Sequence, residues 1–490
     1  MKQTLYEFSY LYRKDTTLKF HSMKKISRTL RAGLLGACLL TGSVFFHTPV
    51  VSQAAQGDSE AVNALIDQIP SDWPSAPQIS SSAAIVMDAD SGTVLYAKNA
   101  TEQHYPASTT KLMTALLTVE NDNLGDMVTF SARAVNDLPA GSSHIAMQVG
   151  EEMSVRDCLY GLLLPSANEV ANALAEHTSG SISAFTDLMN ARAAELGAVN
   201  THFVNPTGLH DDTHYSCAYD LALIMRECLK NSDFRTIDSA GTYTLPVTNK
   251  HSETRSIGST HSMLRTNNVY YDSRVKGGKT GWTQESGRNL VTYASSQGIH
   301  LIIVTLGAEA PQQYEDTRSL MDYAFSSFTV CTPAKEDTTY GETDSSNLLQ
   351  LPRGNLLLFS LDESATMLLP NGVSFSDLER ETTTTDDGTI QVTYSWHGYP
   401  LAQLPLVRAD LSSQTDDDAI TPVSTSQIGH LHNFHIWYVI LGAAAILLIA
   451  LITTQLYYLL NPQARVQKKQ RQLKKRVARQ KRRERGKLKF

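Results

Sequence analysis

Apolar residues are spaced along this chain as expected for a folded unit with strands at both ends and helices between them. Two apolar runs, residues 83–87 and 93–97, flank turn residues at 88–92 and predict a β-hairpin. Later apolar runs predict strands at 289–293 and 301–306. Helical spacing predicts one helix that begins near residue 106. It predicts further helices over residues 155–164, 169–177, 182–196, 218–229 and 312–328. This order predicts an α+β fold in which an antiparallel sheet is flanked by helices.

The chain beyond Cys331 changes to short segments separated by turn residues. Residues 390–396 alternate apolar and polar side chains, and Asn371-Gly372 marks a turn. We therefore predict one large domain over residues 75–330 and a small all-β C-terminal domain over residues 338–410. The polar residues 411–430 are predicted to form a linker, since they are rich in Ser, Thr and Asp.

The N-terminal segment has the pattern of an export signal. Basic residues at positions 24–31 precede an apolar run at 32–46, and Ser52-Gln53-Ala54 follows as a small-x-small cleavage site. Residues 23–54 are therefore predicted to be a signal peptide. Two interpretations stay open for residues 1–22: an extension added by a start codon assigned upstream of Met23, or a genuine cytoplasmic segment.

The C-terminal segment has the pattern of a membrane anchor. Residues 436–454 carry no formal charge, aromatic residues lie at both borders, and the length suits a hydrocarbon core of about 30 Å. We predict a single transmembrane helix over residues 436–458. The basic tail at 461–490 is then expected in the cytoplasm, where it contacts membrane lipid, and the residues before the helix are expected outside the cell membrane.

The net charge of -7 conceals an acidic body between two basic ends. Residues 461–490 hold 14 of the 42 Lys and Arg, residues 1–55 hold 8, and the rest of the chain has 20 basic against 46 acidic residues. An acidic body excludes nucleic acid as a partner, because binding phosphates needs clustered Lys and Arg. Five cysteines without C-x-x-C spacing argue against a structural zinc site and a disulfide scaffold. No metal or cofactor is expected.

The start of the first predicted helix carries a serine and a lysine three residues apart, Ser108 and Lys111. This spacing places both side chains on one face of the helix. A serine needs a base to become a nucleophile, and a lysine in a water-poor site can lose its proton near neutral pH. Alone, the pattern is weak, because Ser-x-x-Lys occurs by chance in many proteins.

Two further motifs follow in a fixed order. Ser166 and Asn168 lie on a short connection before a predicted helix, and Lys279-Thr280-Gly281 lies on a predicted strand edge. The order Ser-x-x-Lys, Ser-x-Asn, Lys-Thr-Gly is the signature of serine penicillin-recognising enzymes. Three such motifs in order are a strong indication of nucleophilic catalysis by serine.

The residues around the motifs narrow this similarity. The segments 106–114, 141–143, 205–209, 214–220 and 279–283 resemble those of the low-molecular-mass penicillin-binding D-alanyl-D-alanine carboxypeptidases. The resemblance runs from about residue 79 to 328. It implies the serine penicillin-recognising fold, and it also fits the export signal and the C-terminal anchor.

The resemblance implies a role for each motif residue. Ser108 attacks the penultimate D-alanine of a peptidoglycan stem peptide, Lys111 is the base, and Ser166 relays a proton to the leaving amine. Asn168 orients the substrate amide, and Lys279 and Thr280 hold the terminal carboxylate. Gly281 allows close approach of the substrate backbone, and the backbone N–H groups of Ser108 and Trp282 form an oxyanion hole. β-Lactam antibiotics are expected to bind as covalent inhibitors. The implied function is a serine-type carboxypeptidase that releases the terminal D-alanine through an acyl-enzyme.

The sequence departs from the family at one position and leaves three alternative functions open. Relatives often carry an arginine near the substrate carboxylate on the strand after Lys-Thr-Gly, and His300 is interpreted as the corresponding residue here. This favours D,D-endopeptidase action on cross-links as the first alternative. A β-lactamase is less favoured, because Ala167 lies where the common class carries Asp. A non-catalytic peptidoglycan-binding scaffold is disfavoured by the intact Ser108, Lys111 and Lys279.

Overall fold

An antiparallel sheet of five strands lies at the centre of the fold. The computed structural model describes residue 60 and residues 62–340, 348–350, 356–385 and 388–408. The strands of this sheet, numbered in chain order with the others of the structure, are β1 (Ala83–Asp88), β2 (Val94–Lys98), β7 (Val275–Thr283), β8 (Gly287–Ser296) and β9 (Ile299–Ala308). They lie in the order β2-β1-β9-β8-β7.

Both faces of the sheet are covered, which explains why residues 83–87 of β1 form a continuous apolar run. Every residue of β1 is buried, and alternate residues belong to different cores. Ile85 and Met87 pack with the helices of one face, whereas Ala84 and Val86 pack with the helix of the other. A strand that is buried on both faces carries apolar side chains on both, so apolar and polar residues do not alternate along it.

Helices fill the middle of the chain and cover one face of the sheet. They are α1 (Lys111–Asn121), α2 (Ala132–Asn136), α3 (Val155–Leu163), α4 (Asn168–Ser179), α5 (Ile182–Glu195), α6 (Ala218–Cys228) and α7 (Ser232–Asp238). The helix α8 (Gln312–Ser327) covers the other face. The helices predicted at 155–164, 169–177, 182–196, 218–229 and 312–328 are confirmed, with ends that differ by at most two residues.

Several short elements escaped the sequence analysis. They are α2, α7 and two small hairpins, formed by β3 (Met127–Thr129) with β4 (Glu152–Ser154) and by β5 (Thr242–Leu245) with β6 (Arg255–Gly258). Segments of three to seven residues show too few periods of apolar spacing to be recognised. One of them, α7, lies beneath strand β7.

The chain after α8 continues as short strands. They are β10 (Phe328–Cys331), β11 (Leu348–Gln350), β12 (Leu356–Ser360), β13 (Met367–Pro370), β14 (Glu379–Thr384), β15 (Ile390–Trp396), β16 (Tyr399–Pro405) and β17 (Val407–Arg408), with a short helix α9 (Pro333–Glu336) after β10. The Tyr399 hydroxyl donates to Val94 O at 2.7 Å, and the Thr93 hydroxyl donates to Leu401 O. These strands therefore contact the β2 edge of the sheet, and the opposite edge, β7, carries Lys279.

Some predictions concern residues outside the described ranges. No helix among the described residues is long and apolar enough to cross a membrane. The extension at 1–22, the signal peptide at 23–54, the linker at 411–430, the transmembrane helix at 436–458 and the tail at 461–490 all lie outside those ranges. The domain boundaries at 75–330 and 338–410 stay predictions.

Candidate active site

Ser108 lies in a tight turn that leads directly into α1. The turn is a 3-10 helix, Ala107–Thr110, and α1 begins at Lys111. Two glycines allow other chain segments to approach this turn. A Cβ on Gly208 would lie 1.8 Å from Ala107 O, and a Cβ on Gly281 would lie 2.7 Å from Pro106 O. Close contact with the loop of Gly208 and with strand β7 holds Ser108 in place without a side chain between them.

Lys111 is completely buried beside Ser108. Its Nζ lies 3.1 Å from Ser108 Oγ, 2.7 Å from Asn168 Oδ1 and 2.5 Å from Thr207 O. The loop that supplies Thr207 O is itself held by Asn205, whose Oδ1 accepts the backbone N–H groups of Thr207 and Gly208. The lysine is thus fixed by groups from three parts of the chain.

Burial sets the protonation of Lys111. Removal from water disfavours the ammonium and lowers the pKa well below the ordinary value, and the positive charge of Lys279 lowers it further. The carboxylate of Glu169 acts in the opposite direction. An amine with a depressed pKa, in hydrogen-bond contact with a serine hydroxyl, has the geometry of a general base.

The second motif forms a corner before α4. Ser166 has a left-handed backbone (φ 66°) and a buried side chain, and its Oγ has no hydrogen-bond partner among the described residues. Asn168 is the first residue of α4, and its backbone N–H donates to Ser143 O at 2.8 Å. A strained corner that holds an unpaired hydroxyl at the site is a feature more often found in functional than in structural turns.

The third motif lies on the edge strand β7. Lys279 is fully buried, and its Nζ donates to Thr280 O at 3.0 Å. Burial lowers the pKa of Lys279 to about 7, against the opposing effect of the Asp238 carboxylate. The Thr280 and Thr260 hydroxyls lie 2.7 Å apart, and Trp282 is 57% exposed at the rim.

These three motifs converge on one cleft. Ser108, Ser166, Thr280, Gly281 and Trp282 line it, whereas Lys111, Asn168 and Lys279 lie buried behind its wall. All the residues that were predicted from the three motifs are therefore brought together. The remaining lining residues are Ser143, Thr260, Arg288, Asn289, Gln313 and Tyr314.

Arg288 is a site residue that the sequence analysis missed. It lies on β8, the strand after Lys-Thr-Gly, and is paired directly with Trp282. Its Cζ lies 4.9 Å from the centre of the Trp282 ring, a cation–π distance. An arginine therefore lies in the cleft on the strand after Lys-Thr-Gly, directly before the residues predicted as a strand at 289–293.

The interpretation of His300 was wrong. His300 lies on β9, at the far end of the sheet, where it pairs with Ser295. Its Nδ1 is 3.0 Å from Asp90 Oδ2, and Thr366 donates to the same carboxylate oxygen. β8 runs antiparallel to both β7 and β9, so β9 begins at the same end of the sheet as β7. Trp282 lies near the other end of β7. His300 therefore belongs to the contact with the C-terminal strands.

His214 is another residue whose role only the structure reveals. It is buried, its Nδ1 accepts the Val204 N–H, and its Nε2 lies 2.8 Å from the hydroxyl of Thr110. Burial lowers its pKa to about 4, so the ring is neutral at physiological pH. His214 thereby links the loop of Thr207 to the turn that carries Ser108.

Comparison with known proteins gives matches over the same part of the chain. The peptidase S11 family, described as D-alanyl-D-alanine carboxypeptidase, matches residues 71–310. The D-alanyl-D-alanine carboxypeptidase DacF of Bacillus subtilis is 32% identical over 305 residues, which are 61% of this chain and 75% of that protein. Its counterpart DacC of Escherichia coli is 32% identical over 57% of this chain and 74% of its own length.

The fold also matches a solved structure. Penicillin binding protein 5 from Haemophilus influenzae superposes with a TM-score of 0.57 and 26% identity. The match covers 68% of this chain and 98% of that one. It therefore extends well beyond the residues that surround the three motifs.

Proposed function

The chain belongs to the D-alanyl-D-alanine carboxypeptidase family of serine peptidases, and from this premise we propose that it removes the terminal D-alanine from peptidoglycan stem pentapeptides with Ser108 as nucleophile. The observation that carries the proposal is the contact of 3.1 Å between Lys111 Nζ and Ser108 Oγ in a site that disfavours the ammonium. A neutral amine accepts the hydroxyl proton, and Ser108 is thereby activated.

Acylation follows from the positions of the neighbouring groups. As Ser108 Oγ bonds to the carbonyl carbon of the penultimate D-alanine, its proton passes to Lys111. The carbonyl oxygen becomes an oxyanion, which the N–H groups of Ser108 and Trp282 stabilise, an effect worth about 3 to 4 kcal/mol per donor in related chemistry.

Collapse of the tetrahedral intermediate breaks the C–N bond. The unpaired hydroxyl of Ser166 relays the proton from Lys111 to the leaving amine of D-alanine. Water then attacks the Ser108 ester with Lys111 again as base, and the shortened peptide leaves. A β-lactam acylates Ser108 by the same first step, but its amine stays tethered to the acyl group.

The cleft is also suited to a free carboxylate, which separates carboxypeptidase from endopeptidase action. Thr280 and Arg288 line it beside the buried Lys279. A guanidinium that pairs with a carboxylate forms charge-assisted hydrogen bonds, which contribute about 1.5 to 3 kcal/mol. Because Arg288 lines the cleft, a preference for a terminal carboxylate does not require a cation at the position of His300.

We expect the full-length protein in detergent to release one alanine from a pentapeptide ending in D-Ala-D-Ala, as read by mass spectrometry. Arg288→Gln should lower kcat/KM for this peptide about tenfold, because a charge-assisted contact is lost. It should change kcat/KM for the same peptide with a C-terminal amide by less than about twofold. Faster cleavage of cross-linked muropeptides than of the pentapeptide would instead establish an endopeptidase.

We also propose that the catalytic part acts outside the cell membrane, anchored by the helix predicted at 436–458, with membrane lipid bound by the basic tail. The charge pattern of residues 461–490 supports this topology. In intact spheroplasts, an added protease should remove the catalytic part and leave a tag at residue 490 protected. Digestion of the tag before lysis would disprove the orientation.

A further inference from the structure

A buried carboxylate lies directly beneath the strand that carries Lys279. Asp238 is the last residue of α7, and its residue surface is 3% exposed. It packs so tightly under β7 that a Cβ on Gly277 would lie 2.2 Å from its Oδ2. Among the described residues, no side chain forms a hydrogen bond with either carboxylate oxygen.

An unpaired buried carboxylate is costly, so its position calls for a nearby positive charge. Burial raises the pKa of Asp238, while the Gly278 N–H and the charge of Lys279 stabilise its anion. In return, the carboxylate opposes the loss of the Lys279 proton. The two groups thus stabilise each other's charged form.

The other charged and titratable groups around Lys279 do not provide this anion. Lys111, on α1, carries no anion, and the like charge of Lys279 disfavours the Lys111 ammonium. His261 is fully buried and its Nε2 lies 3.0 Å from Thr292 Oγ1. Burial and Lys279 lower the pKa of His261 to about 3, so it is neutral. Glu169 is the carboxylate that acts on Lys111.

We propose that Asp238 is a positioning residue that keeps Lys279 charged, so that Lys279 can hold the substrate carboxylate while Lys111 beside it serves as a neutral base. Two buried lysines in one site need opposite protonation states: burial and Lys279 favour the neutral form of Lys111, whereas the Asp238 carboxylate favours the ammonium of Lys279. The inference rests on the proposed function, because it needs a substrate that presents a carboxylate to this strand.

The test is the pH dependence of acylation by a fluorescent penicillin, measured with the full-length protein. The rate should rise with pH as Lys111 loses its proton and fall again as Lys279 does. In Asp238→Asn the ammonium of Lys279 loses its support and deprotonates at lower pH. The alkaline limb should therefore move down by about one pH unit, as expected for the loss of about 1.4 kcal/mol.

Four comparisons separate the positioning role of Asp238 from a structural one. Asp233→Asn, on the same helix, removes an exposed carboxylate 3.6 Å from Arg156 and should leave the profile unchanged. Asp238→Ser, smaller and neutral, should reproduce the shift if the asparagine variant does not fold. Near pH 5.5, Lys279 is charged in every variant, so acylation of the Asp238 variants should approach the wild-type rate. In Asp238→Asn, the loss of rate should also be greater for the pentapeptide than for the same peptide with a C-terminal amide.

The outcomes distinguish this inference from the proposed function. An alkaline limb at the wild-type pH, or an equal loss at every pH and for both peptides, would refute the role of Asp238. If wild-type protein is not acylated at any pH, the proposed function itself is refuted.

Discussion

Ser108→Ala should abolish acylation by penicillin and release of D-alanine while leaving the fold intact. The substitution removes the nucleophile, so the expected loss is complete within the sensitivity of a fluorescent penicillin gel. Ser108 is half-buried, and its side chain loses a single contact, that with Lys111. We therefore expect the thermal midpoint to change by no more than about 2 °C.

The matched control for this variant is Ser319→Ala. The Ser319 hydroxyl donates to Glu315 O on the exposed side of α8, so the variant removes a hydroxyl without touching the cleft. It should be acylated at the wild-type rate. A covalent penicillin adduct on Ser108→Ala would mean that another residue is the nucleophile, and peptide mapping of that adduct would identify it.

Lys111→Met should slow acylation by about a thousandfold while the cleft still binds penicillin non-covalently. General bases contribute about 10² to 10⁴ to a rate, and methionine keeps the length of the buried side chain without a basic nitrogen. Lys111→Arg should be as slow, because a guanidinium stays protonated and the site is completely buried. The measurement is the rate of acyl-enzyme formation under excess penicillin.

Lys98→Met is the control for Lys111→Met. The ammonium of Lys98 also donates to two backbone carbonyls, those of Ile79 at 2.9 Å and Ser81 at 2.7 Å, but it lies on β2 away from the cleft. Its loss should lower stability by about 1 to 2 kcal/mol and leave acylation unchanged. Rapid acylation of Lys111→Met would exclude Lys111 as the base.

The pH dependence of the wild-type enzyme provides a further check on Lys111. A base whose pKa is lowered is active above that pKa and is lost as the pH falls through it. The acid limb of the acylation rate therefore reports Lys111 and should be absent from the residual rate of Lys111→Met. Its position well below the ordinary lysine pKa reflects burial first and the charge of Lys279 second.

The long elements were predictable because their apolar spacing is a local property of the chain. The helix at 312–328 and the hairpin at 83–97 each contain enough positions to reveal a period. The motif of Ser108 and Lys111 was equally local, since three residues along a helical turn place both side chains on one face. Hairpins of three or four residues per strand lacked such a period and were missed.

The error over His300 shows where local information ends. The sequence contained an arginine and a histidine downstream of Lys-Thr-Gly, at positions 288 and 300. Which of them faces the cleft depends on where β7 turns back and how β8 registers against it. The turn before Gly287 pairs Trp282 with Arg288, and the next reversal carries His300 to the far end of the sheet.

The sequence by itself determined the fold class, the three motifs and the family, because each depends on residue type and spacing over short stretches. Only the tertiary structure decided that Lys111 is completely buried, that Arg288 faces the cleft and that Asp238 lies under Lys279. The surroundings of the two lysines join residues far apart in the sequence: Lys111 and Asn168 are 57 positions apart, and Asp238 and Lys279 are 41 apart. The chemistry of a lysine depends on the water and charge around it, and that environment exists only when distant segments pack together.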